Sequence, residues 1–150
     1  MNTIIREIAR AWHDYQDEVA RLDRTPGTSR DAYLNLEGHW ASGILDALKS
    51  SDPDPDLMWQ CVLEIWNQTD KGDEGRVGAV AAGPMENLID AHGPHVIDRI
   101  EAKAKEDPEF RRMLLGVWPP VDEDRADWQR IVKLVEDLGP VQSFKDRKKR

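Results

Sequence analysis

A chain of 150 residues with 33% charged and 39% hydrophobic residues predicts one domain with a core that needs no metal or disulfide staple. The formal net charge of −8 is uneven: Lys145–Arg150 carries +4, so residues 1–144 carry −12. A body that acidic disfavours direct contact with nucleic acid or an anionic membrane and favours a basic protein partner. The lone cysteine, Cys61, excludes an intrachain disulfide.

In chain order, the first segment has a helical period. Ile4, Ile8, Trp12, Tyr15, Val19 and Leu22 recur at spacings of three and four, predicting a helix over about Thr3 to Arg24 with Thr3 as N-cap. Thr25-Pro26-Gly27 stops it. Residues 29–49 place Ala32, Leu36, Trp40, Ile44 and Leu48 on one stripe, interrupted by Gly38 and Gly43. That pattern fits either one long helix or two short ones. Asp54 and Pro55 form a start signal, N-cap then first helical position. The helix that follows runs to about Thr69 and is apolar except for Gln60, Glu64 and Asn67. So wide an apolar arc predicts a central helix with neighbours on more than one side.

The second half is punctuated by Pro. Gly83-Pro84 and Gly93-Pro94 each predict a kink or a helix end, because Pro removes an amide and crowds the preceding turn. On that reading Gly93 is a C-cap and Pro94 opens a new helix. Asp107-Pro108 starts a short helix. After Trp118-Pro119-Pro120, Asp122 caps a last helix closed by Gly139-Pro140. No segment alternates with period two. The expected fold is all-α, six to seven short helices in antiparallel hairpins, a helical-repeat-like single domain over residues 1–144 with a basic flexible tail over 145–150. The N-terminus lacks a signal-peptide core, and no apolar run approaches a membrane span of about 20 residues. The expected compartment is the cytoplasm.

The runs Trp59–Ile65, AAGPMENLI from Ala81, His92-Gly93, IDRIEA from Ile97, DPEFRR from Asp107 and Gly116-Val117-Trp118 resemble a family of small uncharacterised bacterial proteins. Those proteins carry a domain of unknown function with the pattern AAGPLEDLL…HG…IDRIE…DPxFRRxLxGVW. The resemblance covers about residues 57–118, with Met85 and Asn87 departing from the usual Leu and Asp. It implies a helical domain of bacterial or phage origin, and it brings no activity and no catalytic residues.

The residues themselves show no catalytic constellation. His92 and His95 have a metal-like spacing, but the Gly-Pro between them breaks a helix, and zinc would need two further ligands. They read as a loop or C-cap pair. His13 and Asp17 read as a solvated i, i+4 pair. Glu64 reads as a partly buried acid that either titrates high or, on the favoured reading, pairs with Arg99 or Arg111. No nucleophile elbow or phosphate loop is recognisable. No metal or other cofactor is expected, and no enzyme.

Three acidic clusters remain: Asp52, Asp54 and Asp56; Asp70, Asp73 and Glu74; and Asp122, Glu123, Asp124 and Asp127. Their bland reading is capping and solubility. The sharper one is a surface that captures a basic partner. The expected function is a non-enzymatic protein–protein interaction module. It would inhibit a basic nucleic-acid-associated protein, as a toxin's immunity protein or a phage counter-defence (anti-CRISPR-type) protein does. The alternative is a helical scaffold or adaptor, or a homodimer, without inhibitory role; a small enzyme using Glu64 or the His92 and His95 pair ranks last.

Overall fold

Proline and capping residues divide the chain into helices much as their chemistry dictates. A computed structural model describes residues 2–144. Its α-helices are α1 (Thr3–Asp23), α2 (Arg30–Leu34), α3 (His39–Asp46), α4 (Pro55–Asn67), α5 (Glu74–Val80), α6 (Glu86–Glu106), α7 (Pro108–Met113) and α8 (Ala126–Val135). The fold is all-α, with no strand among the described residues. The basic tail, 145–150, lies outside them. Contacts gather into two compact units, one ending at Thr69 and one beginning at Asp70.

In the first unit, Asn2 rather than Thr3 caps α1, accepting from the Ile4 amide at 2.9 Å. Its inward stripe is Ile5, Ile8, Ala9, Trp12 and Leu22. Ile4, expected inside, is 60% exposed. Ile5 takes the inward place in the first turn instead. Residues 29–49 form two helices, α2 and α3, not one stripe. Gly38 sits against α1, where a Cβ would lie 2.5 Å from the Ala11 carbonyl oxygen and 2.8 Å from Tyr15 Cβ. The chain turns there, so α3 takes its own phase. Ala41, Leu45 and Leu48 face in, and Trp40, expected inside, is 46% exposed. Tyr33 ties α2 to the end of α1 by donating to Asp23 at 2.8 Å, which raises the Tyr33 pKa.

Helix α4 starts as its sequence requires, with Asp54 accepting from the Leu57 amide at 3.0 Å and Pro55 in the first turn. Met58, Trp59, Cys61, Val62, Ile65 and Trp66 are buried, and α4 packs on α1. His13 on α1 reaches the Ile65 carbonyl at 2.9 Å, so its ring binds the two helices together as well as facing solvent.

The second unit contains the largest departure from expectation. Neither Gly83-Pro84 nor Gly93-Pro94 ends a helix. Helical backbone runs from Glu74 to Glu106, with one wide turn at Ala81–Met85. In that turn the Glu86 amide bonds five residues back, to the Ala81 carbonyl, and the extra residue makes room for the Pro84 ring. Pro94 is handled differently. A proline there leaves the Asp90 carbonyl, four residues back, without its amide. The Arg125 guanidinium fills the gap, donating to Asp90 O at 3.1 Å and to Ile89 O at 2.8 Å. Asp127 holds that guanidinium in a two-point pair, at 3.0 and 2.7 Å. Gly93 leaves the space, since a Cβ there would collide with the Asp127 carboxylate and lie 2.7 Å from the guanidinium. Thus Gly93 is no C-cap, and Pro94 opens no helix.

Arg125 and Asp127 stand at the entrance of α8, so the same pair docks α8 on α6. Trp128, Ile131 and Val135 then bury against Val96, Ile97 and Ile100 of α6 and Phe110, Met113 and Leu114 around α7. Asp107 caps α7 as expected, accepting from the Phe110 amide at 3.1 Å. Asp122 does not cap α8, whose N-cap position is Arg125. The Asp122 carboxylate is taken by the Asp124 amide, at 3.0 Å. Helix α8 also stops at Val135, short of Gly139-Pro140.

Candidate functional site

The acidic residues singled out in the sequence fall at helix starts and turns. Asp52, Asp54 and Asp56 surround the start of α4 in the first unit, and all are exposed. In the second unit Asp70 accepts from the Gly72 amide at 2.9 Å, and Asp73 caps α5 by accepting from the Arg76 amide at 3.0 Å. Glu74 lies in the first turn of α5, where its charge suits the helix dipole. Asp122, Glu123 and Asp124 shape the turn before α8. Asp122 and Asp124 are exposed and Glu123 is half-buried. Asp127, grouped with them in the sequence, is buried and paired with Arg125. Asp54, Asp70, Asp73 and Asp122 thus take capping or turn bonds, and Asp127 takes a buried ion pair.

A concavity in the first unit carries other acids. A groove of about 540 Å³ in the first unit is lined by Glu7, Asp14, Asp17 and Glu18 of α1, by Glu37 and Gly38, and by Trp40. Arg10 is its one cationic lining residue. The α1 acids recur at spacings of three, four and seven, on the side of the helix away from its apolar stripe. That periodicity was the available sequence signal. Trp40 was not recognisable, because continuing the period through Gly38 turns its indole inward. Glu18 is paired with Arg21 at 2.8 Å, and like charges at the other positions repel one another. The groove is therefore a surface on which a cation gains from several carboxylates at once, beside an indole face that also attracts cations.

Two further concavities, both of mixed charge, are formed by described residues of the second unit. One, about 510 Å³, is lined by Glu101, Arg111, Arg130, Lys133, Leu134 and Asp137. Its arginines are engaged: Arg111 with Asp137 at 2.8 Å and with the Leu134 carbonyl at 3.1 Å, Arg130 with Asp98 at 2.6 Å and with Glu101. The Arg111 hydrogen bonds hold Asp137 below the usual carboxylate range. The other, about 210 Å³, lies around Lys71, Glu74, Glu109 and Arg112. Burial holds Lys71 below the usual lysine range, against the pull of Asp107.

The remaining candidates take structural places. His92 is buried and His95 exposed within the continuous α6, so they are not a loop pair. Among the described residues no three His, Cys, Asp or Glu side chains gather where they could hold a metal ion. Glu64 is buried and accepts from Gln68 at 3.1 Å, not from an arginine. Arg111, one expected partner, is committed to Asp137. Cys61 is fully buried, and burial pushes its thiol up to about 11, helped by Asp54. That is the opposite of an activated nucleophile. In the native protein at neutral pH Cys61 is expected to resist an aromatic disulfide reagent that labels the unfolded chain completely. Rapid stoichiometric labelling of native protein would contradict the burial.

No helix among the described residues is long and apolar enough to cross a membrane. No curated protein and no solved structure matches the chain. A family model, however, matches residues 29–138. That span includes Glu37, Gly38, Trp40 and the whole Gly93–Pro94–Arg125–Asp127 constellation, while the α1 wall of the groove precedes it. The chain belongs to the family of unknown function DUF6869.

Proposed function

We propose that this chain is a non-enzymatic, acidic interaction module that captures a basic segment of another protein, and that it acts as an inhibitor of a basic nucleic-acid-associated protein in a bacterial or phage setting. The observation that carries the reading is the groove on α1. Five carboxylates and one arginine line a concave surface with a half-exposed indole at its edge. A lysine- or arginine-rich segment laid there meets opposite charge along its length and an aromatic face for one cation. The net charge of −8 adds a long-range field that speeds encounter with such a partner and repels nucleic acid. The acids at the helix starts contribute to that field rather than to the contact.

The test is titration of a fluorescent arginine-rich peptide into the protein at several salt concentrations. Affinity is expected to fall steadily as salt rises, because the groove charges are solvent-exposed and screened over about 10 Å at 0.1 M salt. Asp14→Lys with Glu37→Lys is expected to weaken binding about tenfold or more, and Trp40→Ala by about three- to fivefold. The matched change Asp52→Lys with Asp56→Lys is expected to have a smaller effect at equal net charge. Affinity that is independent of salt, or equal losses from both double changes, would remove the groove from the account.

A further inference from the structure

In the second unit, the concavity of about 510 Å³ gathers cations on an otherwise acidic chain. Arg130, Lys133 and Leu134 share one face of α8 at spacings of three and four. Arg111 reaches in from α7 and Glu101 from α6. Arg111 is held by the Leu134 carbonyl at 3.1 Å and by Asp137 at 2.8 Å. Arg130 pairs through Nη2, with Asp98 at 2.6 Å and with Glu101. Its Nη1 and Nε carry no hydrogen bond among the described residues. The Lys133 ammonium is exposed and has no hydrogen bond or ion pair among the described residues. The acids are not equal. Asp98 and Asp137 are 87% and 64% exposed, and Glu101 is 24% exposed. Exposed ion pairs contribute little, so the first two carboxylates can turn out to water and leave three cations facing Glu101 alone.

We propose that this concavity is an anion site for the phosphate group of a small soluble molecule, which displaces the Asp137 carboxylate from Arg111. The two-point hold of Arg111 on Asp137, at 2.8 and 3.4 Å, is the way a guanidinium takes a carboxylate or a phosphate. A phosphate group offers three oxygens and close to two charges, one oxygen for each of Arg111, Arg130 and Lys133. A carboxylate, with two oxygens, cannot meet all three. The size of the ligand follows from charge. Nucleic acid or an anionic membrane meets the field of the whole −8 chain and is repelled by it. A lone phosphate group meets only the local cations, because charges beyond about 10 Å are screened from it at 0.1 M salt. Leu134 supplies an apolar wall for the body of the molecule. The inference does not depend on the acidic groove, which belongs to the other unit.

Inorganic phosphate is the probe, titrated into the full chain in a chloride background of constant ionic strength and read by NMR of the arginine and lysine side-chain nitrogens. The Arg111, Arg130 and Lys133 signals are expected to shift together along one saturable curve. Lys133→Gln, an exposed change, is expected to weaken phosphate about three- to fivefold. Asp137→Asn is expected to tighten it by a similar factor, since it removes the competitor and one repelling charge. The matched loss of charge at Arg24→Gln, in the first unit, is expected to leave binding unchanged. The Asp137 carboxyl gives a second readout. Arg111 holds it below the usual carboxylate range, and saturating phosphate is expected to move its carbon-13 titration back up, because the guanidinium is then engaged elsewhere. Shifts that never saturate, or an Asp137→Asn protein that binds no more tightly, would overturn the proposal. Equal losses from Lys133→Gln and Arg24→Gln would overturn it too, as an effect of overall charge.

Discussion

Alanine at Gly93 is expected to destabilise the unit beginning at Asp70 by about 3 kcal/mol or more. In most helices a Gly→Ala change stabilises, by up to about 1 kcal/mol. Here the sign reverses. The new methyl group would occupy the space of the Asp127 carboxylate and crowd the Arg125 guanidinium. Relief requires moving a buried, paired carboxylate, and breaking such a pair costs about 3–5 kcal/mol when a charge is left uncompensated. Arg125 keeps some solvent contact, its side chain being 25% exposed, so the lower end of that range applies. Asp127→Asn keeps the shape but removes the charge, and is expected to cost about 2–3 kcal/mol. Urea denaturation followed by helical circular dichroism measures both. A Gly93→Ala protein as stable as the parent would show that α8 does not dock in this way.

The proline makes the account testable beyond simple loss. Arg125 is needed because Pro94 leaves the Asp90 carbonyl free. Pro94→Ala restores an amide to that carbonyl, and the guanidinium then has less to do. The cost of Asp127→Asn is therefore expected to shrink by about 1 kcal/mol in the Pro94→Ala background, a coupling of the size measured for groups in one network. Strict additivity would separate the proline from the pair and leave the tolerance of Pro94 without this explanation.

This constellation also marks where sequence reasoning stopped. Two helix starts were legible because they are local: Asp54-Pro55 and Asp107-Pro108 open helices through bonds to amides three residues on, whereas the expected caps Thr3 and Asp122 gave way to Asn2 and to the Arg125 position. The all-α class was legible from periodicity alone. Pro94 was misread because its rescue comes from Arg125, 35 residues beyond the Asp90 carbonyl it serves. Nothing near Pro94 announces that partner. Trp40 was misread for a related reason. Its side depends on Gly38 touching α1, a contact across 27 residues, whereas the local period carries the indole inward. The acidic residues were found as clusters in sequence, but the groove gathers acids by helical face.

Gly38 and Gly43 supply the second strong expectation, since one substitution should act in opposite directions five residues apart. Both glycines belong to the α3 region, and neither has the positive φ that favours glycine. Backbone strain therefore plays no part, and only the surroundings differ. At Gly43 an added methyl group meets nothing within 4 Å, so Gly43→Ala is expected to stabilise by about 0.5–1 kcal/mol through helix propensity and reduced freedom of the unfolded chain. At Gly38 the methyl group meets the Ala11 carbonyl oxygen at 2.5 Å, Tyr15 Cβ at 2.8 Å and the Tyr15 amide nitrogen at 3.1 Å. These atoms belong to the body of a long helix and cannot swing aside as a flexible side chain can. Gly38→Ala is expected to cost about 2–3 kcal/mol as overpacking that moves whole elements apart. Because Gly38 lies between Glu37 and the α1 acids in the groove, the same change should weaken binding of an arginine-rich peptide, while Gly43→Ala leaves it unchanged. Thermal unfolding and peptide titration of the two variants together separate the possibilities. Equal stability changes would refute the close approach of α3 to α1, and a lost approach with undiminished peptide binding would place the basic partner elsewhere on the acidic surface.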